Sequence, residues 1–159
     1  MTNERAPLGA WRFLLGSSVF FVVFGVAMAS LGSLPPASLW ELWIGEFLLG
    51  RPLDQGEERL YDFIRGPLGG TMAGYYVLQT AIVAVPLRRG ERWAWWAVLG
   101  GVGVWFLVDS AVSLAHGAVF NVLRVNLFAL VVTVVPLLLL RPGLQEGGKA
   151  GGPAGPAPP

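Results

Sequence analysis

The sequence predicts an all-α fold: a four-transmembrane-helix bundle with a short extracytoplasmic interfacial helix between its first two spans. Three observations predict it. Four apolar runs are each about as long as the ~20 residues a helix needs to cross a hydrocarbon core. Charged residues make up only 13% of the 159-residue chain, where soluble domains carry about 25%, and mean hydropathy is +0.60. The arginines fall at alternate ends of the runs, as they do when helices cross a membrane back and forth.

The first run, residues 13–34, follows Trp11 and Arg12. Ala27-Met28-Ala29 resembles a signal-peptidase site, but the run of about 22 residues exceeds the 7–15 of a signal core. It is read as an uncleaved span that also targets the chain. The outer loop, 35–67, is too long for a turn. Ser38-Leu39-Trp40-Glu41 reads as a capping box, Gly50 as a stop, and the apolar stretch between is too short to span. A helix lying in the headgroup region with tryptophan anchors fits it. Asp54-Gln55-Gly56-Glu57 opens a second helix that runs toward span two, with a bend expected at Gly66-Pro67.

The second span, 68–87, begins within the row Gly66, Gly70 and Gly74. Small residues four apart let backbones approach closely, so this row is the expected packing seam of the bundle or of a second protomer. Gly25, Ala29 and Ser33 in span one, and Ala97 and Gly101 in span three, repeat the spacing. Gln79, in apolar sequence, is expected to bond across helices. The third span, 93–114, opens with Trp93, Trp95 and Trp96, an expected aromatic belt. The fourth, 119–140, stops at Arg141-Pro142, with Asn126 and Thr133 on an inward face. Residues 1–12 form an amino-terminal segment, 13–141 the membrane domain, and 142–159 a Gly/Pro/Ala-rich tail expected to be disordered.

Orientation follows from charge. Arg5, Arg12, Arg88, Arg89, Arg92, Arg141 and Lys149 mark one side, while residues 35–65 carry six acids against three arginines. Both termini and the 88–92 loop are expected in the cytoplasm. Arginine outnumbers lysine ten to one, which reads as GC-rich bacterial coding and, with the topology, as a bacterial inner membrane.

Composition excludes several chemistries. There is no cysteine, so thiolate nucleophiles and thiolate metal sites are out. A single histidine rules out bis-histidine haem and multi-histidine zinc. Net charge is +1 with no basic block, so no nucleic-acid partner is expected. No cofactor, metal site or catalytic residue is predicted.

What remains is one polar constellation. Asp109 lies about five residues from the end of its run, roughly 7–8 Å at 1.5 Å per residue, near the outer surface. Asp109, Ser113 and His116 share a helix face by their i, i+4, i+7 spacing. Across a short turn, Asn121 and Arg124 share a face of span four, so an Asp109–Arg124 ion pair is expected, with Asn121, Ser113 and His116 adding hydrogen bonds. The adjacent Ser110 is expected to point elsewhere. An aspartyl dyad would need Asp62 as its second carboxylate, and Ser113–His116 lacks a nucleophile elbow. The set is therefore read as a network pinning spans three and four, or as a ligand site between them.

The string Arg88-Arg89-Gly90-Glu91-Arg92-Trp93-Ala94-Trp95-Trp96, then Trp105, Asp109-Ser110, Ser113-Leu114, Gly117, Asn121 and Asn126, resembles a pattern in small uncharacterised bacterial four-span membrane proteins. Gly69 to Gly74 resembles it too. The likeness covers about 66–141 and implies topology and a polar motif between spans three and four. It implies no reaction. The expected function is a non-enzymatic structural, accessory or interaction protein. The alternative is a small-molecule binder or transporter using an outer-leaflet pocket, and a membrane enzyme ranks third. Expected partners are the lipid bilayer and a second copy or another membrane protein.

Overall fold

A computed structural model describes residues 8–31 and 37–141. Every element among them is helical. Helix α1 is Leu8–Ser30 and α2 is Ala37–Ile44, extended by a π-helical turn, Gly45–Leu49. Helix α3 is Gln55–Ile82 with a π-helical end at Val83–Leu87, and α4 is Arg92–Ala115. A π-helical segment, Asn121–Asn126, leads into α5, Leu127–Leu140. The expectations for residues 1–7, Ser33 and the 142–159 tail lie outside the described residues.

Four helical stretches are long and apolar enough to cross a membrane: Leu8–Ser30, Gln55–Leu87, Arg92–Ala115 and Asn121–Leu140. Only 22–28% of each most apolar window is buried inside the protein. Phe20, Val23, Leu78, Leu107, Leu123 and Phe128 are among the large apolar side chains facing outward. In water such a surface would aggregate; against lipid it is already in its preferred solvent. The chain is an all-α bundle built as a multi-pass membrane protein.

Helices α1 and α3 make the closest contact, and glycine makes it possible. A Cβ on Gly25 would sit 2.7 Å from the Gly69 carbonyl oxygen and 2.8 Å from the Ala73 nitrogen. A Cβ on Gly69 would sit 2.5 Å from the Gly25 oxygen and 2.8 Å from the Ala29 nitrogen. The seam therefore runs through Gly25 and Ala29 on α1, as the spacing predicted, but through Gly69 and Ala73 on α3. The row Gly66, Gly70 and Gly74 lies off it, with no atom within 4 Å of a Cβ at any of the three. One residue along a helix turns the face by about 100°, so Gly69 and Gly70 look in different directions.

The core divides along the bundle. Near the arginine-rich end, Leu14, Val83, Leu87, Ala94, Trp95, Val98, Leu137 and Leu140 join all four spans. Further along, Phe21 stacks on Tyr76 at 4.6 Å beside Ala129. Between these layers Gln79 Nε2 donates to Ser18 Oγ at 3.0 Å, the cross-helix bond its apolar surroundings predicted.

Indoles serve the terminal carbonyls. The amide of Arg141 donates to Leu138, three residues back, and Trp95 Nε1 donates to the Leu137 carbonyl at 2.7 Å. Trp11 Nε1 likewise donates to the Val83 carbonyl at 2.8 Å. Arg88 lies over Trp11 and Arg141 over Trp95. Trp95 is thus a buried strut, whereas Trp93 and Trp96 face outward as the belt reading expects.

Two further expectations change. Ser38 lies inside the first turn of α2, which begins at Ala37, and does not precede it. Gly50 does stop the segment, at φ +66°. The Asp54 capping box is complete: Asp54 accepts from the amides of Gly56 and Glu57, and its own amide donates to Glu57. From there α3 runs through Pro67 into span two, so the span-length helix begins at Gln55 and not at residue 68.

Candidate functional site

Helix α4 turns Asp109, Ser110 and Ser113 toward the start of the last span. Ser110 and Ser113 are buried and Asp109 is partly buried. The chain closes behind them with Gly117 at φ +74°, and the Ala118 amide donates to the Ser113 carbonyl at 2.8 Å. Residues 121–126 then follow in π-helical form.

That form decides which side chains meet. In an α-helix, positions five apart point about 140° away from each other. A π-helical turn bonds i to i+5 and so brings them toward one face. Asn121 and Asn126 both reach α4. Asn121 Nδ2 donates to Asp109 Oδ2 at 3.0 Å and to Ser113 Oγ at 2.9 Å. Asn126 Nδ2 donates to the same Asp109 Oδ2 at 2.5 Å and to Ser110 Oγ at 3.1 Å. Each amide thus spends one N–H on the carboxylate and one on a serine. Asn121 is 7% exposed and Asn126 is fully buried.

Of the predicted set, Asp109, Ser113 and Asn121 come together. Arg124 does not join them. Its guanidinium lies over Trp43 at 5.0 Å and Phe47 at 5.2 Å, against the α2 segment. No ion pair among the described residues involves Asp109. The expected pair fails because Arg124 was placed on the Asn121 face by α-helical spacing, and the backbone there is π-helical. His116 ends α4, is exposed, and donates from Nδ1 to the Val112 carbonyl at 2.9 Å. Ser110 and Asn126 were the missed members. The five-residue spacing of the two asparagines, each matching a serine on α4, was the signal.

Two buried atoms in the network have no hydrogen-bond partner: Asn121 Oδ1 and Asn126 Oδ1. Leaving a buried acceptor unpaired costs about 1–3 kcal/mol. The arrangement can hold a carboxylate firmly between two helices, and it retains spare acceptors.

Beside it, α2 closes the end of the bundle. Phe47 stacks on Phe120 at 5.4 Å, Trp43 meets the same ring edge-on at 6.2 Å, and Trp40 meets Tyr61 at 6.4 Å. Glu41, Glu58, Tyr61 and Asp62 line a groove nearby. Asp62 is paired with Arg65 at 2.9 Å, so it is engaged on α3 and not placed as an acid partner of Asp109. In the loop before α3, Arg51 grips Glu57 through two hydrogen bonds, which raises the guanidinium pKa. The amides of Glu57 and Gly56 hold the Asp54 carboxyl below its ordinary range.

Among the described residues, no three His, Cys, Asp or Glu side chains gather as a metal-holding group. Comparison with protein-family models, curated proteins and solved structures finds no match, and so adds nothing to the likeness carried by residues 66–141.

Proposed function

We propose that the chain is a non-enzymatic structural, accessory or interaction protein of a bacterial inner membrane, with both termini cytoplasmic and α2 on the outer face. The observation that carries this reading is where the charge of Asp109 goes. Two amides from the last span converge on one carboxylate oxygen, at 3.0 and 2.5 Å, and two serines complete the contact. In a low-dielectric medium that set works as a clamp. Parting α4 from the last span would strand a carboxylate and two amides in hydrocarbon. The orientation draws on charge: exposed Arg12, Arg88, Arg89, Arg92 and Arg141 lie at one end of the bundle and the acidic α2 region at the other.

The clamp is tested by thermal unfolding in detergent. Asp109→Asn and Asn126→Ala should each lower stability, by about 1–3 kcal/mol for the groups left unpaired. Unchanged midpoints in both variants would remove the reading. One observation favours the second reading, a small-molecule binder or transporter at this pocket: the unpartnered Asn121 and Asn126 oxygens. Under it, the same variants keep their midpoints and lose a ligand-induced shift.

A further inference from the structure

We infer that the Asp109 cluster is a binding site for a small monovalent cation, sodium by its ligand chemistry. The inference goes beyond the clamp reading, although a bound cation would tighten the same clamp.

Asp109 is an ionisable group inside a span-length apolar helix, which calls for compensation. The nearest cationic side chains in sequence are committed elsewhere. Arg124 lies over Trp43 and Phe47, and the His116 ring bonds the Val112 carbonyl. Four amide N–H bonds, two of them to the carboxylate, disperse the charge but bring no positive one.

Asn121 Oδ1 and Asn126 Oδ1 are buried and accept nothing. Both hydrogen bonds to Asp109 end on Oδ2, which leaves Oδ1 outside them. With the two serine hydroxyls, every group on offer is a hard oxygen, with no nitrogen or sulfur ligand. One carboxylate supplies one negative charge, which balances a monovalent ion. Divalent sites recruit more carboxylates, and no cluster of three acidic or imidazole groups is present among the described residues.

Both amide nitrogens lie within 3.0 Å of one carboxylate oxygen and within 3.1 Å of a serine oxygen. The oxygen and nitrogen of an asparagine amide have nearly the same size, so a half-turn of the amide exchanges them. Two carbonyl oxygens would then face the Asp109 carboxylate. Without a cation that arrangement is repulsive; around a cation it is a coordination shell built from two helices. Non-standard backbone at this point, the π-helical 121–126 segment, fits a site, since π-bulges recur at functional positions.

The test uses the full chain in detergent at pH 7.5, with choline replacing sodium at constant ionic strength. Radioactive sodium should bind saturably at one ion per chain, and sodium should raise the unfolding midpoint by several degrees. Asn121→Ala, which keeps the charge and removes one oxygen, should weaken binding at least threefold, and Asp109→Asn should abolish it. Absence of saturable binding in the unmodified protein would overturn the site. So would binding unaffected by Asn121→Ala, a result that needs no folded Asp109 variant. The clamp is judged separately, from the midpoints of Asp109→Asn and Asn126→Ala in choline alone: lowered midpoints without sodium binding keep the clamp and remove the site.

Discussion

Asn126 owes its role to the backbone beneath it. It is fully buried, donates to Asp109 and Ser110, and reaches them only because residues 121–126 are π-helical. Replacing it with alanine takes the amide donor from Ser110 Oγ and leaves Asp109 Oδ2 with Asn121 alone. Interhelical hydrogen bonds in membranes average about 0.6 kcal/mol, but this side chain makes two, one of them to a carboxylate. Asn126→Ala should therefore cost about 1–2 kcal/mol, read as a lowered midpoint in detergent, and more than Asn121→Ala, whose carboxylate bond is longer. A second contrast separates two adjacent glycines. Gly69→Val drives a side chain into the Gly25 carbonyl and should cost about 1–3 kcal/mol or prevent folding, while Gly70→Val meets nothing within 4 Å and should leave the monomer stable. Equal midpoints for the two valine variants would contradict the seam. These cases mark what a sequence discloses at this scale. Asp109, Asn121 and Ser113 were legible because a carboxylate in an apolar run demands partners. The role of Asn126 and the loss of Arg124 were not, because both turn on a change from 3.6-residue to i→i+5 geometry whose one trace in the sequence is the five-residue spacing of Asn121 and Asn126. Gly69 was hidden for a simpler reason: two glycine rows overlap at the start of span two, and composition does not say which one faces α1.

At the level of elements, helix boundaries held where a physical stop exists and shifted where none does. Gly50 ends its segment with a positive φ, and Gly90 and Gly117 do the same in the turns on either side of α4. Pro67 did not break α3: the one bond its missing N–H removes is outweighed by the turns on either side, which continue as one helix. Helix α2 is held mainly by aromatic faces and by Arg124, contacts made at long range in sequence and so invisible to local pattern. Trp43→Ala removes both the ring against Phe120 and one face of the Arg124 sandwich. It should loosen α2 and speed cleavage after the exposed Glu46 by a glutamate-specific protease several-fold, while the midpoint of the spans barely moves. Unchanged cleavage would mean that α2 is held some other way. The first turn of α3 carries a pH dependence. The Asp54 carboxyl is held below its ordinary value of about 3.9 by the Glu57 and Gly56 amides. Its capping contribution is thus complete above about pH 4 and disappears as pH falls through the lowered folded value. Hydrogen exchange at residues 55–58 should accelerate there relative to neighbouring amides, and Asp54→Ala should show the fast exchange at neutral pH as well.

For the whole molecule, the bundle's two ends are chemically different, and that difference can be read out directly. One end gathers Arg12, Arg88, Arg89, Arg92 and Arg141 around buried Trp95 and part-buried Trp11; the other gathers Glu41 and Glu46 of the α2 segment with Glu58 and Asp62 at the start of α3. Cells retain positive loops on the cytoplasmic side, so the arginine end should face inward. The chain has no cysteine, which makes single-cysteine labelling unambiguous. Gly50→Cys stands in an exposed turn of the α2 end, and Arg89→Cys stands in the exposed turn before α4. In intact bacterial cells whose outer membrane has been permeabilised, a membrane-impermeant maleimide should label Gly50→Cys, and label Arg89→Cys only after the inner membrane is opened. The reverse pattern would invert the topology and put the Asp109 cluster at the cytoplasmic end of its span; labelling of both positions in intact cells would show a mixed orientation. Removing one arginine from a cluster of this size leaves its sign unchanged, so the probe at position 89 does not itself dictate the answer. The same preparation addresses the glycine row left open on α3. If Gly66, Gly70 and Gly74 meet a second copy, detergent-corrected mass should give a dimer that Gly70→Leu converts to a monomer without lowering the midpoint, because among the described residues no other helix places an atom within 4 Å of a Cβ there. A monomer before mutation would leave those glycines facing lipid.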